Sequence, residues 1–151
     1  MMRRNERALT RDKMLEILNV AEYGVLSTVS EGGAPYGVPV SFVYHEGDIY
    51  FHCAPEGHKL DNIAHNDRVS FCAVADVRLV PDKFTTNYSS VIVFGRAAEV
   101  VGDARQEIFI KILEKFSREH MAAGLEYVEK SGFKAAIFRI EVERMTGKGR
   151  F

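Results

Sequence analysis

The fold is decided by residues 23–54, which read YGVLSTVSEGGAPYGVPVSFVYHEGDIYFHCA. Three strand-like segments lie within this stretch, at residues 23–29, 36–44 and 49–54. The breaks between them are short and rich in glycine, proline and acidic residues, which are typical of turns. Because short connections of this kind join neighbouring antiparallel strands, the stretch predicts a β-meander.

The middle segment has two different faces. Bulky side chains alternate with mostly small ones, so that one face carries Tyr36, Val38, Val40, Phe42 and Tyr44 and the other carries Gly37, Pro39, Ser41, Val43 and His45. A flat ligand could lie against the small face. Pro39 cannot donate to a β-ladder and therefore predicts an edge strand or a bulge, where backbone groups are free for other contacts.

The rest of the chain adds strands and helices in a ratio that favours a barrel. Helical spacing of apolar residues marks residues 10–21 and the segment after Asp103, and a short helix-like stretch covers residues 57–66. Further strands are predicted at residues 68–79, 88–101 and 133–144. About six strands with two or three helices predict a closed or half-open barrel of the mainly β or α+β class.

Composition limits the partners and the compartment. The chain has 151 residues and a formal net charge of −1, which predicts one domain and excludes a strong attraction to nucleic acid or to an anionic membrane. No run approaches the ~20 apolar residues of a membrane helix, and no signal peptide follows the first residues, so we expect a cytoplasmic protein. Cys53 and Cys72 are too few for a disulfide framework. Residues 1–9 and 146–151 are expected to be flexible or arm-like.

Several common catalytic motifs are absent from the sequence. There is no Gly-x-Gly-x-x-Gly after a first strand, no Walker A loop, no His-Glu-x-x-His and no Gly-x-Ser-x-Gly. The Rossmann, P-loop, zincin and α/β-hydrolase classes therefore lose their main support.

The strongest local signal is at residues 50–63, YFHCAPEGHKLDNI, where a strand passes through a proline and glycine turn into the start of a helix. Backbone N–H groups at such a start bind anions, and a lysine there supplies charge for a phosphate. Lys59 is the first candidate for a phosphate anchor, with His58 beside it. The alternative is that both are solvated side chains on a surface turn.

Other polar residues are candidates with ordinary alternatives. His52 lies in mid-strand and could hydrogen-bond a cofactor or donate a proton, or it is a half-buried structural histidine. Ser89 and Ser90 interrupt an apolar strand and could contact a cofactor, or they mark its frayed start. A metal is not predicted, because the polar helical face formed by His58, Asp61, Asn62 and His65 matches no strong ligand spacing.

Taken together, several segments resemble one known family in their order and spacing. They are GVLSTV at 24–29, PYGVPVSF at 35–42, the segment from His52 to Ile63, VIVFGRA at 91–97 and TGK at 146–148. The chain resembles the pyridoxamine 5′-phosphate oxidase-like flavoproteins, and within them the nitroimidazole-resistance branch.

This resemblance implies a six-stranded antiparallel split β-barrel with flanking helices, which pairs as a homodimer and holds FMN in two clefts between the subunits. The implied cofactor contacts are backbone groups of Val38, Pro39, Val40 and Ser41 along the isoalloxazine, Phe51 and His52 beside it, His58 and Lys59 on the phosphate, and Ser89 and Ser90 from a neighbouring strand or subunit. His52 is the implied catalytic residue.

The chain also departs from pyridoxamine phosphate oxidase itself. It has Tyr36-Gly37-Val38-Pro39-Val40-Ser41 where that enzyme resembles Arg-x-Val-x-x-Lys, and the Arg-Leu-containing C-terminal segment of that enzyme has no counterpart in residues 146–151. We therefore expect an FMN-dependent oxidoreductase that reduces a small electrophile such as a nitroaromatic compound, with NAD(P)H as a possible donor. The alternatives are a flavin, deazaflavin or haem binding module without turnover, and an interaction scaffold with an empty cleft.

Overall fold

The structure, a computed structural model, describes residues 3–131 and 134–151 and consists of one antiparallel sheet with helices on both sides. The helices are α1 (Arg11–Val20), α2 (His58–His65), α3 (Ala104–Phe116) and α4 (Met121–Ser131). The strands are β1 (Gly24–Val29), β2 (Pro35–Val40), β3 (Phe42–His45), β4 (Asp48–Cys53), β5 (Arg68–Val80), β6 (Thr85–Glu99) and β7 (Ala136–Arg150). None of the described helices has the length and apolar character needed to cross a bilayer.

The sheet is open, and its two edges are consecutive in the sequence. The strand order is β2-β1-β5-β6-β7-β4-β3, so β2 and β3 lie at opposite ends although only Ser41 separates them. This is the predicted split-barrel type of fold. The structure has seven strands where we predicted six, because the chain leaves β1 at Ser41 and the segment at residues 36–44 becomes two strands. Pro39 lies in an edge strand, as its missing N–H requires.

A hydrophobic core fills the inner face of the curved sheet. Its largest fully buried side chains include Leu26, Phe42, Phe51, Phe71 and Ile140, which come from five different strands. Helix α1 closes this core with Ile17 and Leu18, and its first turn is capped by Thr10, whose Oγ1 accepts from the N–H of Lys13 at 3.3 Å. The core therefore holds the sheet in its curved form.

The helix α3 covers the other side of the sheet near β3, β4 and β7. Ile108 and Ile112 of α3 pack with Val43 and Ile137 in a second, smaller cluster of buried residues. This second layer means that the β4 end of the sheet is covered on both faces, while the outer face of β1, β5 and β6 is not.

Strand β7 is longer than the sequence indicated. Its pairing with β6 continues to Arg150, which lies opposite Tyr88, so residues 146–150 are strand rather than the flexible or arm-like tail that we expected. The N-terminal segment joins it, because Ala8 forms a bridge with Lys148 and the N–H of Leu9 donates to the carbonyl of Gly147 at 3.0 Å. Residue 133, where we predicted the strand to begin, lies outside the described residues.

Candidate functional site

The first part of the site is the start of α2, which we call the α2 rim and define as Gly57, His58 and Lys59. Gly57 has a φ of 144°, a backbone conformation that residues with a Cβ rarely adopt. Its carbonyl accepts hydrogen bonds from the N–H groups of Leu60 and Asp61 at 3.0 and 3.1 Å. The N–H groups of His58 and Lys59 lie in the first turn of α2 and have no helical carbonyl to donate to, so they are available to a ligand. The helix start that the sequence predicted after Gly57 is therefore present, and the binding of an anion by His58 and Lys59 stays a prediction.

Two contacts hold the α2 rim against the β1–β2 edge. The ring of His58 stacks on Tyr36 of β2, with centroids 4.2 Å apart and planes at 24°. One turn further along the helix, Asn62 donates from Nδ2 to Oγ1 of Thr28 at 2.9 Å, and both side chains are buried. Because Asn62 is buried in this bond, the polar helical face weighed in the sequence as a metal site is used in part for packing.

Lys59 is a half-buried cation without an ion pair or hydrogen bond among residues 3–131 and 134–151. Its charge lowers the pKa of the Cys53 thiol, although burial of that thiol has the larger, opposite effect and raises the pKa overall. The Lys59 ammonium therefore lies near Cys53, the last residue of β4. A lone ammonium beside free helical amides suits a phosphate or another anion.

The segment from Val38 to Ser41 lies along the free edge of the sheet. Val38 and Val40 turn their side chains towards the core, whereas Pro39 and Ser41 are exposed. Only β1 pairs with β2, so the other edge of β2 has unpaired backbone groups. A ligand at this edge would meet backbone rather than the valine side chains, which agrees with the kind of contact that we predicted.

The structure separates Phe51 from His52. Phe51 is fully buried and stacks on Phe138, with centroids 5.7 Å apart, so its ring is part of the core. His52 points to the opposite face of β4 and lines a cavity of about 250 Å³ with Phe109, Tyr127 and others, beneath α3 and α4. Burial lowers the pKa of His52. Within one chain, the side chains of His52 and Cys53 are on different faces of β4.

The two serines also face in opposite directions. Ser89 is fully buried, and its Oγ has no hydrogen-bond partner among the described residues. Ser90 points to the outer face of the sheet and lines a cavity of about 400 Å³. Only Ser90 therefore reaches an open space in this chain.

That space is part of a groove along β6 and β7 that the sequence analysis missed. A second cavity of about 400 Å³ adjoins the first, and the two share Tyr88 and Lys148. We call them together the β6–β7 groove; its lining includes Arg7, Phe84, Thr85, Tyr88, Ser90, Ile92, Phe94, Arg144, Thr146, Lys148 and Arg150. No described lining residue is acidic, so the groove suits an anion with an aromatic part.

Contacts inside the groove orient its cations. Arg150 donates from Nη1 to Oγ1 of Thr85 at 2.6 Å, and the guanidinium of Arg144 lies 4.3 Å from the centroid of the Phe94 ring. The alternation of side chains along β6 could have indicated that one face of this strand is exposed. The cations of the groove could not be found in this way, because they lie far from β6 in the sequence; Arg150, for example, is 65 residues from Thr85. The β6–β7 pairing brings Arg144, Lys148 and Arg150 to the aromatic residues of β6, and the bridge between Ala8 and Lys148 brings Arg7 beside them.

A further polar cluster lies at the turn between β3 and β4. His45 Nε2 is 2.9 Å from Glu107 Oε1 and 4.0 Å from Glu46 Oε1, and the ligand-type atoms of the three residues lie within 4.8 Å of one another. The two carboxylates are exposed and pair with the imidazole across α3 and β3. The cluster ties α3 to the sheet.

Comparison with protein-family models decides the family. Residues 10–149 match the family described as pyridoxamine 5′-phosphate oxidase. The chain belongs to the pyridoxamine 5′-phosphate oxidase family. This confirms the resemblance that we stated from the motifs, and it places β1 to β7, the α2 rim and most of the groove within the family's domain. A search of curated proteins found no match.

Solved structures share the fold of this family member at low sequence identity. A proposed 5-nitroimidazole antibiotic resistance protein from Bacteroides thetaiotaomicron has a TM-score of 0.75 and 20% identity, over 93% of this chain and 85% of that chain. The FAD and haem binding protein of Mycobacterium smegmatis gives 0.78 and 16%, over 93% and 71%. The haem storage protein HutZ of Vibrio cholerae gives 0.66 and 17%, over 89% and 92%. These likenesses show the fold.

Proposed function

We propose that this protein binds a flavin, with FMN as the first candidate, and that the unpaired Lys59 at the start of α2 anchors its phosphate. Lys59 carries the proposal, because an ammonium without a partner beside free helical amides is built to meet an anion. The family and the similar structures that bind FAD support a flavin over other phosphorylated ligands.

The residues at the α2 rim and the β2 edge fit the two ends of such a cofactor. The rim supplies the charge of Lys59 and the amides of His58 and Lys59 to the phosphate. The free backbone edge at residues 38–41 can hydrogen-bond the polar side of the isoalloxazine. Ser41 is where the chain passes from one edge of the split sheet to the other, and the flat ring would lie in the opening between these edges.

The cleft that we propose lies between two copies of the chain. The outer face of the sheet exposes Val25, Val74, Tyr88 and Ile92 by between 36% and 43%, and Ser90 and Lys148 lie beside them. We propose a homodimer that buries this face and in which the cationic β6–β7 groove of one copy lies opposite the α2 rim of the other. Ser90 and Lys148 would then reach the flavin from the partner.

Bound flavin would supply the electron transfer, and the protein would supply binding and orientation. We propose reduction of a small electrophile such as a nitroaromatic compound, with NAD(P)H as the donor and His52 as the proton donor. Because burial lowers the pKa of His52, its ring is charged only in mildly acidic solution. Turnover that depends on this proton should fall as the pH rises through the lowered pKa.

One observation favours a second function, a flavin or haem binding module without turnover. The candidate proton donor His52 lies on the face of β4 opposite the Cys53 side, beneath α3 and α4. If the dimer does not bring the flavin to that face, the cofactor is bound without a protein acid beside it. A flavin spectrum that is not bleached by NAD(P)H would support this second function over the reductase.

The experiment that tests the proposal identifies the bound molecule first. We expect purified protein to show a flavin absorption spectrum and to release a compound with the mass of FMN on denaturation. Lys59→Ala should weaken FMN binding by about 10- to 100-fold, because a charge-assisted hydrogen bond contributes ~1.5–3 kcal/mol. Lys130→Ala, which removes an exposed lysine on α4, is the control. Unchanged FMN affinity in Lys59→Ala would remove the proposed anchor, and a Soret band would replace flavin with haem.

A further inference from the structure

A lysine from α3 joins three elements next to the Ser41 break. Lys115 donates from Nζ to the carbonyl oxygen of Phe42 at 2.9 Å and to that of Leu18 at 3.4 Å. The same Nζ lies 4.0 Å from the centroid of the Phe42 ring. One side chain therefore links α3 to the first residue of β3 and to the last turn of α1.

The Lys115 side chain is half-buried and not a free surface lysine. Burial lowers the pKa of Lys115 from 10.5 to about 8, because the loss of water around the side chain disfavours its charged form. In return, the ammonium meets two carbonyl groups and the face of an aromatic ring. Leu18 belongs to the last turn of α1, whose carbonyls lack helical donors and favour a cation.

The position of Phe42 connects this contact to the proposed flavin site. Phe42 follows Ser41 directly, and Ser41 is where the chain leaves one edge of the sheet for the other. The Phe42 ring is fixed in the core against Phe71, with centroids 4.7 Å apart, while its carbonyl is fixed by Lys115. The path of the backbone from Val38 to Ser41 depends on where this next residue is held.

We propose that Lys115 is a positioning residue of the flavin site, which holds the Phe42 carbonyl and so orients the backbone of residues 38–41 towards the isoalloxazine. Lys115 does not contact the flavin in this proposal, which rests on the function proposed above. It adds to that function a residue from α3, 73 positions away from Phe42 in the sequence.

The test compares variants of Lys115 with a matched control on the same helix. FMN and FAD are titrated into the apo forms of the wild type, Lys115→Met, Lys115→Arg and Lys111→Met, with flavin fluorescence and the visible spectrum as readouts. Lys111 lies one turn earlier and pairs on the surface with Glu114 at 3.2 Å. We expect Lys115→Met to weaken binding about tenfold and to alter the fine structure of the flavin band. Lys115→Arg should recover part of the flavin affinity and part of the wild-type fine structure, and Lys111→Met should match the wild type.

The outcomes separate this inference from the function on which it rests. A wild type that binds neither FMN nor FAD overturns both. A wild type that binds flavin while Lys115→Met binds it with the same affinity and spectrum overturns only the positioning role. If Lys115→Met only lowers the melting temperature and leaves the flavin affinity and spectrum unchanged, the positioning role is also overturned. If Lys115→Met does not fold, Lys115→Gln replaces it, with weaker binding and an altered spectrum expected and wild-type behaviour contradicting the role.

Discussion

The α2 rim and the β6–β7 groove both present positive charge, but they are built differently. The rim is three consecutive residues at a helix start, with one ammonium and two amides that have no partner in the part of the chain that the structure describes. The groove collects Arg7, Arg144, Lys148 and Arg150 from two distant segments of the chain around aromatic rings and hydroxyls. The rim fits the compact charge of a phosphate, and the groove fits a broader anion with an aromatic part.

This difference indicates that neither region is a complete site. None of the cavities described above is lined by the rim, and the groove lies on the exposed outer face of the sheet. A cleft between two copies would combine one rim with the groove of the other copy. The following predictions test that combination.

The largest effect is expected when two defective chains are combined. Lys59→Ala damages the rim and Lys148→Gln damages the groove, and each should weaken FMN binding by at least about tenfold. A mixed dimer of the two variants contains one doubly damaged cleft and one intact cleft. We therefore expect mixed dimers, refolded together and separated by affinity tags, to regain one tight site in a fluorescence titration.

The control is a dimer refolded from two differently tagged Lys59→Ala chains, which has no intact rim and should regain nothing. If the rim and the groove served the same copy, every site in the mixed dimer would carry one damaged residue. Mixed dimers that bind FMN as weakly as the separate variants would therefore contradict a shared cleft.

A smaller effect is expected from the backbone of the rim alone. Gly57→Ala places a Cβ on a residue with a φ of 144°. If the turn keeps this conformation, the free energy of unfolding in a urea titration should fall by about 1–3 kcal/mol. If the turn changes its conformation instead, FMN binding should weaken. Gly32→Ala is the matched control, because Gly32 lies in an open turn without a positive φ. Equal stability and equal FMN affinity in the two variants would show that the rim does not need this conformation.

The smallest effect concerns His52, which belongs to neither region. Because the folded protein lowers its pKa, the unfolded chain takes up a proton first as the pH falls below 6.5. The free energy of unfolding should then decrease, by under about 1 kcal/mol because the side chain is exposed and screened. His52→Gln should remove this part of the pH dependence. The free energy of unfolding is measured by urea titration at several pH values between 5 and 7. An equal change with pH in the wild type and in His52→Gln would contradict the desolvation of His52.

Much of the fold followed from local patterns. Turn residues and alternation located β1, β4 and the edge position of Pro39, and the family resemblance supplied the split barrel. The break at Ser41 was not visible, because a single polar residue in an alternating strand has no local signature of a change of edge. The extent of β7 was also missed, since Gly147 and Gly149 look like tail residues until they pair with β6 and pack against Leu9 and Met14.

The sequence by itself determined the α2 rim, because a turn glycine, a helix start and a lysine act over a few neighbouring residues and need no distant partner. Only the tertiary structure decided which way Phe51, His52, Ser89 and Ser90 face, and that Lys115 reaches the Ser41 break. Alternation assigns neighbouring residues to opposite faces of a strand but does not say what covers each face. That depends on helices and strands from distant parts of the chain, such as α3 and α4 over His52 and β7 beside Ser90, whose packing no local pattern records.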